Sequence, residues 1–135
     1  VLDTSALLAL RNDETGADEV ERILRAASRG AAEALVSFIS FTEIFYIVWQ
    51  QSDEHEAHRV HLQMKSLPIQ RVESAENLGL AAGALKARFP LSLADSWIAA
   101  TAIQSRAALV HKDPEFESLK DLLALQALPY KRPRL

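Results

Sequence analysis

The stretch LSLADSWIAATAIQSRAALVHKDPEF, residues 91–116, decides the fold. Ser92 stands where a helix N-cap belongs, and the apolar, Ala-rich run from Leu93 to Ser105 predicts a buried helix with Asp95 at its third position. Ala107 to His111 then reads as a buried strand that ends at Lys112-Asp113. Pro114 opens a short helix after it, in the position where a missing N–H costs nothing. A buried helix feeding straight into a short apolar strand is the unit from which parallel sheets are built.

The same alternation runs back through the chain. Val1-Leu2 reads as a strand ending in Asp3, with Asp3 or Thr4 capping a short helix from Ser5 to Leu10. Ala17, Val20, Ile23, Leu24 and Ala27 have helical spacing between about Thr15 and Arg29, and Gly30 is the expected stop. Ala34 to Ser37 is a second strand, followed by a helix capped by Ser40 and running to about Ser52, with Glu43 in its first turn. Glu54 to Lys65 is an amphipathic helix and Leu67 to Val72 a third strand. Ser74 with Asn77 opens a helix that runs to Arg88, and Ala124 to Pro129 is expected as an edge strand. The expected fold is α/β: one domain over residues 1–135, with a parallel four- to five-stranded sheet flanked by helices on both faces.

Composition bounds the function. The chain has 135 residues, 49% hydrophobic and 24% charged, which is enough for a single core and leaves no low-complexity segment. Cysteine is absent, which excludes disulfides and thiolate metal sites and makes the cytoplasm the natural expectation. No apolar run approaches the ~20 residues that span a bilayer, so no membrane partner is expected. A net charge of −3 argues against coating nucleic acid by bulk charge. It leaves room for a nuclease, with Arg11, Lys86, Arg88, Arg106 and Lys112 as local steering groups. The basic Lys131-Arg132-Pro133-Arg134 tail reads as a solvated terminus.

Four carboxylates carry the chemistry: Asp3, Glu43, Asp95 and Asp113. Glu43 is the only charged side chain between Val36 and Trp49, and Asp95 the only one between Arg88 and Arg106. An ionised carboxylate among apolar side chains is costly unless a cation or several donors compensate it. Ligands of a parallel sheet lie beyond the carboxyl ends of its strands. Asp3 and Asp113 follow strands, while Glu43 and Asp95 sit on helices that can begin at that edge, so one cluster is expected. Hard oxygen ligands without cysteine favour Mg²⁺, with Mn²⁺ able to substitute, and suit hydrolysis of a phosphodiester by metal-activated water. Thr4 and Ser5 are placed to hold a water or a phosphate oxygen. The ordinary roles are helix capping for Asp3 and Asp113 and dipole complementation for Asp95. His55, His58 and His61 lie on a wet helix face with spacing unsuited to zinc, and no glycine-rich phosphate loop occurs.

These segments resemble the PIN-domain nucleases, and especially the VapC-type toxins of prokaryotic toxin–antitoxin pairs. Val1-Leu2-Asp3-Thr4-Ser5-Ala6-Leu7 is similar to the family's opening strand with its first metal-binding acid, and Ser40-Phe41-Thr42-Glu43-Ile44 to its helix-borne glutamate. The run from Leu93 to Ala102 is similar to its most specific motif, placing the second principal metal ligand on Asp95. The run from Ala108 to Phe116 places the last acid on Asp113. Ser96 and Pro114-Glu115 depart from the common pattern without removing a ligand, and Glu115 is an additional outer acid. The resemblance implies a Mg²⁺-dependent endoribonuclease with Asp3 and Asp95 as metal ligands, assisted by Glu43 and Asp113. It also implies a homodimer and inhibition by a small antitoxin. The rival readings are a non-catalytic binding protein of the same fold, and a phosphatase or DNA nuclease using the same pocket.

Overall fold

The computed structural model describes residues 1–131, so Arg132 and Arg134 of the basic tail lie outside the described residues. Helices α1 (Thr4–Arg11) and α2 (Ala17–Ser28) precede strand β1 (Leu35–Ser37). Helices α3 (Phe38–Gln51) and α4 (Glu54–Ser66) lead to β2 (Gln70–Val72), and α5 (Glu76–Arg88) and α6 (Leu93–Ser105) lead to β3 (Leu109–His111). A 3₁₀ turn (Pro114–Leu119) connects β3 to β4 (Leu125–Ala127).

The strands form two short parallel ladders, β1 with β2 and β3 with β4. The amino-terminal residues join them: the Leu2 amide donates to the Leu35 carbonyl (2.9 Å), the Asp3 amide to Val110 (2.9 Å), and the Val110 amide to Val1 (2.8 Å). The spatial order is therefore β2, β1, residues 1–3, β3, β4. The chain builds outward on one side of its first segment, then returns to build on the other. Such a reversal leaves a crevice at the carboxyl ends of the two strands that flank it. Here those ends carry Asp3 and Asp113.

Alternation along the strands sorts the core into two layers. Leu2, Val36 and Val110 pack with α1, α2, α4 and the buried flank of α3. Their neighbours Val1, Leu35 and Leu109 pack with α5, α6 and the 3₁₀ turn. Both faces are thus covered, as expected of parallel strands this apolar. Among the described residues no helix is long and apolar enough to cross a membrane.

Two helix starts differ from the sequence reading. Helix α3 begins at Phe38, because the Ser37 hydroxyl accepts from the Ile39 amide (3.3 Å) and makes Ser37 the cap. Ser40 lies inside the helix and is fully buried. Glu43 falls at the sixth helical position rather than in the first turn. Helix α5 starts at Glu76 after Ala75, without a side-chain cap, so Ser74 does not open it. Helix α6 matches the reading: the Ser92 hydroxyl accepts from the Asp95 amide (3.1 Å). Ser92→Ala is expected to lower stability by about 1 kcal/mol in urea denaturation, the usual worth of such a cap; no change would mean that α6 is held by packing alone.

Candidate metal centre

Asp3 is fixed first. It caps α1, and its Oδ2 accepts from both the amide (3.0 Å) and the hydroxyl of Ser5. Its Oδ1 is buried and has no partner. The carboxyl is 2% exposed, and burial pushes its pKa up to about 6 against the two Ser5 hydrogen bonds, with the charges of Glu43 and Asp113 adding to the rise. A buried carboxylate oxygen without a donor is costly, which makes it a fitting ligand for a cation.

Glu43 reaches the same region from α3. Thr4 Oγ1 lies 2.7 Å from Glu43 Oε1 and 2.9 Å from Ser40 Oγ. Its single proton goes to the carboxylate, so Ser40 donates to Thr4. The chain Ser40 to Thr4 to Glu43 locks α3 against the start of α1. Ser40 was read from sequence only as a cap; the structure makes it the inner end of this relay.

Asp95 enters from the first turn of α6. Burial first, and then the charges of Asp3, Asp113 and Glu43, push its carboxyl up to about 7. The four acids thus lie within electrostatic reach of one another, though Asp3 and Glu43 are not among the acids whose ligand oxygens come closest together. Ligand oxygens of Asp95, Asp113 and Glu115 lie within 4.8 Å of one another, the one group of this kind among the described residues. Glu115 is therefore part of the cluster rather than a bystander. His58 and His61 instead set their ring edges against Phe45 and Phe41 (centroids 5.1 and 6.2 Å), and no third ligand joins them.

The turn that carries Asp113 is braced on several sides. The Lys112 amide donates to Ser5 Oγ (2.9 Å), the Asp113 amide to His111 Nδ1 (3.2 Å), and the Asp113 Oδ1 accepts from the Glu115 amide (2.9 Å). Ser5 thus ties the Asp3 carboxylate to this turn. Lys112 Nζ donates to Glu14 (3.1 Å) and to the Thr15 carbonyl (2.8 Å), and its side chain is only 5% exposed. Burial would raise Glu14, but hydrogen bonds from Lys112 and Asn12 outweigh it and hold the carboxyl below the ordinary range.

Lys112 is therefore a strut between the turn and the loop after α1, not a free group for steering a polyanion. Of the other proposed steering residues, Arg11 pairs with Glu56 (3.5 Å), and Arg106 caps the far end of α6 from Asp95. Lys86 and Arg88, in the last turn of α5 just before the loop to Asp95, remain exposed. Lys112→Met is expected to cost about 1.5 kcal/mol of unfolding free energy, since it removes the main partner of Glu14, which keeps Asn12 and Lys131 beside it. A loss within about 0.5 kcal/mol would show the pair to be structurally neutral.

The donor set is oxygen only, several carboxylates face one another, and one buried oxygen is bare. This fits a hard divalent cation held at the switch point of a doubly wound sheet. The sequence agrees: residues 1–122 match the PIN domain, and the chain belongs to the PIN-domain family.

Among solved structures, the chain is similar to a toxin–antitoxin complex from Klebsiella pneumoniae, with 17% identity and a TM-score of 0.66 over 96% of this chain and 98% of that one. It is also similar to VapBC2 from Rickettsia felis bound to a DNA fragment from their promoter, with 18% identity and a TM-score of 0.72 over 95% and 97% of the two chains. DNA-bound VapBC from Salmonella typhimurium has 18% identity and a TM-score of 0.73 over 93% and 95%. At these identities the likeness is one of fold. No curated protein matches the chain by sequence.

Proposed function

We propose that this chain is a Mg²⁺-dependent endoribonuclease, the toxin of a toxin–antitoxin pair that acts in the cytoplasm as a homodimer. The observation that carries the reading is the unpartnered, buried Asp3 Oδ1, which lies within electrostatic reach of Asp95, Glu43 and Asp113. Asp3 and Asp95 would hold Mg²⁺, or Mn²⁺ in its place, with Glu43, Asp113 and Glu115 completing the acidic wall. When bound, the cation lowers the pKa of a water nucleophile and offsets charge developing on the phosphate.

The protein's own residues prepare the rest. Ser5 holds Asp3 by two hydrogen bonds. Thr4 holds Glu43, so both hydroxyls orient carboxylates and act on water or phosphate only through them. Glu43, anchored at one oxygen, has the other available to orient or accept a proton from the attacking water. Lys86 and Arg88 would meet the phosphate backbone as it enters the pocket.

Two features support an antitoxin partner. One structural relative is a toxin–antitoxin complex, and two others are VapBC assemblies on DNA. A cleft of about 470 Å³ between α1 and α4, floored by Leu7, Leu10, Val60 and Met64, suits the apolar face of an amphipathic peptide. The test is incubation of purified chain with a mixed tRNA and ribosomal RNA pool, with Mg²⁺ or with EDTA. Discrete cuts that require the metal are expected. Folded, metal-loaded protein that leaves the pool and single-stranded DNA intact would favour the non-catalytic reading, and cleavage of DNA alone the DNA nuclease reading.

A further inference from the structure

His111 is the one fully buried ionisable side chain outside the carboxylate pocket among the described residues, and nothing in the proposed chemistry uses it. It ends β3, two residues before Asp113. A strand interior of Ala, Leu and Val gives no packing reason for an imidazole there, and the ring is not fully satisfied: Nε2 is buried without a partner. An apolar side chain of similar volume would avoid that deficit. The compensation lies at the other nitrogen. Nδ1 accepts the Asp113 amide at 3.2 Å, while the ring packs edge-on against Phe116 (centroids 5.2 Å) and near Tyr130 (6.1 Å).

We infer that His111 is a positioning residue for the acidic pocket, its buried Nδ1 fixing the Asp113 amide and so the direction in which the Asp113 carboxylate meets Asp95 and Glu115. The inference rests on Asp113 being a site carboxylate, as proposed above. The preceding amide, of Lys112, is taken by Ser5 Oγ. Two consecutive amides of the turn are thus held by side chains from different elements, leaving the turn little freedom to rotate. A neutral imidazole has one donor and one acceptor nitrogen, so acceptance at Nδ1 places the proton on Nε2. Groups that orient metal ligands in this indirect way change metal affinity about 10- to 100-fold when removed.

The test compares His111→Leu and His111→Asn with the parental chain, all full length. Mn²⁺ affinity is read by calorimetric titration and RNA cleavage by kcat and KM. His111→Leu is expected to bind Mn²⁺ about 10- to 100-fold more weakly and to lose kcat with KM for RNA unchanged. His111→Asn, whose Oδ1 replaces the Nδ1 acceptor, is expected to recover most of both. Equal Mn²⁺ affinity for His111→Leu and parental protein would overturn the assignment. Nitrogen-15 spectra of the parental His111 ring test it without metal: an unprotonated Nδ1 is expected, and a proton on Nδ1 overturns it. Absence of Mn²⁺ binding by the parental chain, with the tautomer as expected, would instead reject the metal reading of the pocket and the positioning role that depends on it.

Discussion

Asp95→Asn is expected to reduce metal-dependent RNA cleavage about 10³-fold or more while the fold stays intact. Loss of one carboxylate ligand removes several kcal/mol of charge stabilisation, and about 4 kcal/mol is a factor of 10³ in rate. The fold should survive because Asp95 serves α6 through its backbone, whose amide is held by Ser92. Asn keeps the volume and removes the charge. The measurement is the initial rate on an RNA that the parental protein cuts, with circular dichroism as the control for folding. A variant with parental rate would remove Asp95 from the site.

The second large effect is on stability against pH. Asp3 and Asp95 carry folded pKa values of about 6 and about 7, above the ordinary aspartate value of 3.8. An acid raised by folding is protonated in both states below its unfolded pKa and incurs no penalty there. As pH rises, the unfolded chain ionises it first, and the cost of ionising it in the folded protein grows until the folded pKa is passed. Metal-free protein should therefore lose the contribution of these two groups between about pH 4 and pH 7.

His111 works in the opposite direction, since burial lowers its pKa, so the clean readout is a difference between variants. The melting temperature of Asp95→Asn minus that of parental protein should climb from pH 4 to pH 8. The climb corresponds to about 2 kcal/mol, or ~8 °C at this size, allowing for partial solvent access and for like charges that share the penalty. Mn²⁺ should raise the parental melting temperature at pH 8 and leave Asp95→Asn nearly unmoved. A difference that is flat with pH would mean that the pocket is better solvated than its burial indicates.

Much of this site could be read from the chain because local signals and tertiary demands coincide there. Ser92 and Asp113 cap helical turns as their types and positions predict, and Asp95 in the first turn of α6 comes close to Asp113, so here the sequence pattern and the structure agree. Glu43 was legible as an anomaly, a lone charge in an apolar run, but its position in the helix was not. Ser37 and Ser40 are equally good caps by type. What decides between them is the end of β1, which fixes Ser37 in an extended backbone, and the distant Thr4, which draws Ser40 inward.

The roles of Thr4, Ser5 and Lys112 were hidden for the same reason. A hydroxyl beside an acid suggests contact with water or substrate, and a lysine beside an acid suggests phosphate. Glu43 and Glu14 lie 39 and 98 residues from Thr4 and Lys112, and the bond from the Lys112 amide to Ser5 spans 107, so no local pattern pairs them. The single parallel sheet expected from strand alternation is present as two short ladders, because each strand is three residues long and only the hydrogen bonds of residues 1–3 make them continuous.

The central place of residues 1–3 sets the order in which the sheet can be completed. Residues 1–3 are made before β1, which follows soon after, so Asp3 and Glu43 can be brought together before the later segments of the domain exist. The neighbour on the other side, β3, comes more than a hundred residues later, and Asp95 and Asp113 arrive only with it. Contacts of such long sequence separation form late in folding. A chain that ends before β3 therefore lacks Asp113 and the ladder that joins residues 1–3 to the second half of the sheet, so the acidic cluster is completed only by the last-made part of the domain.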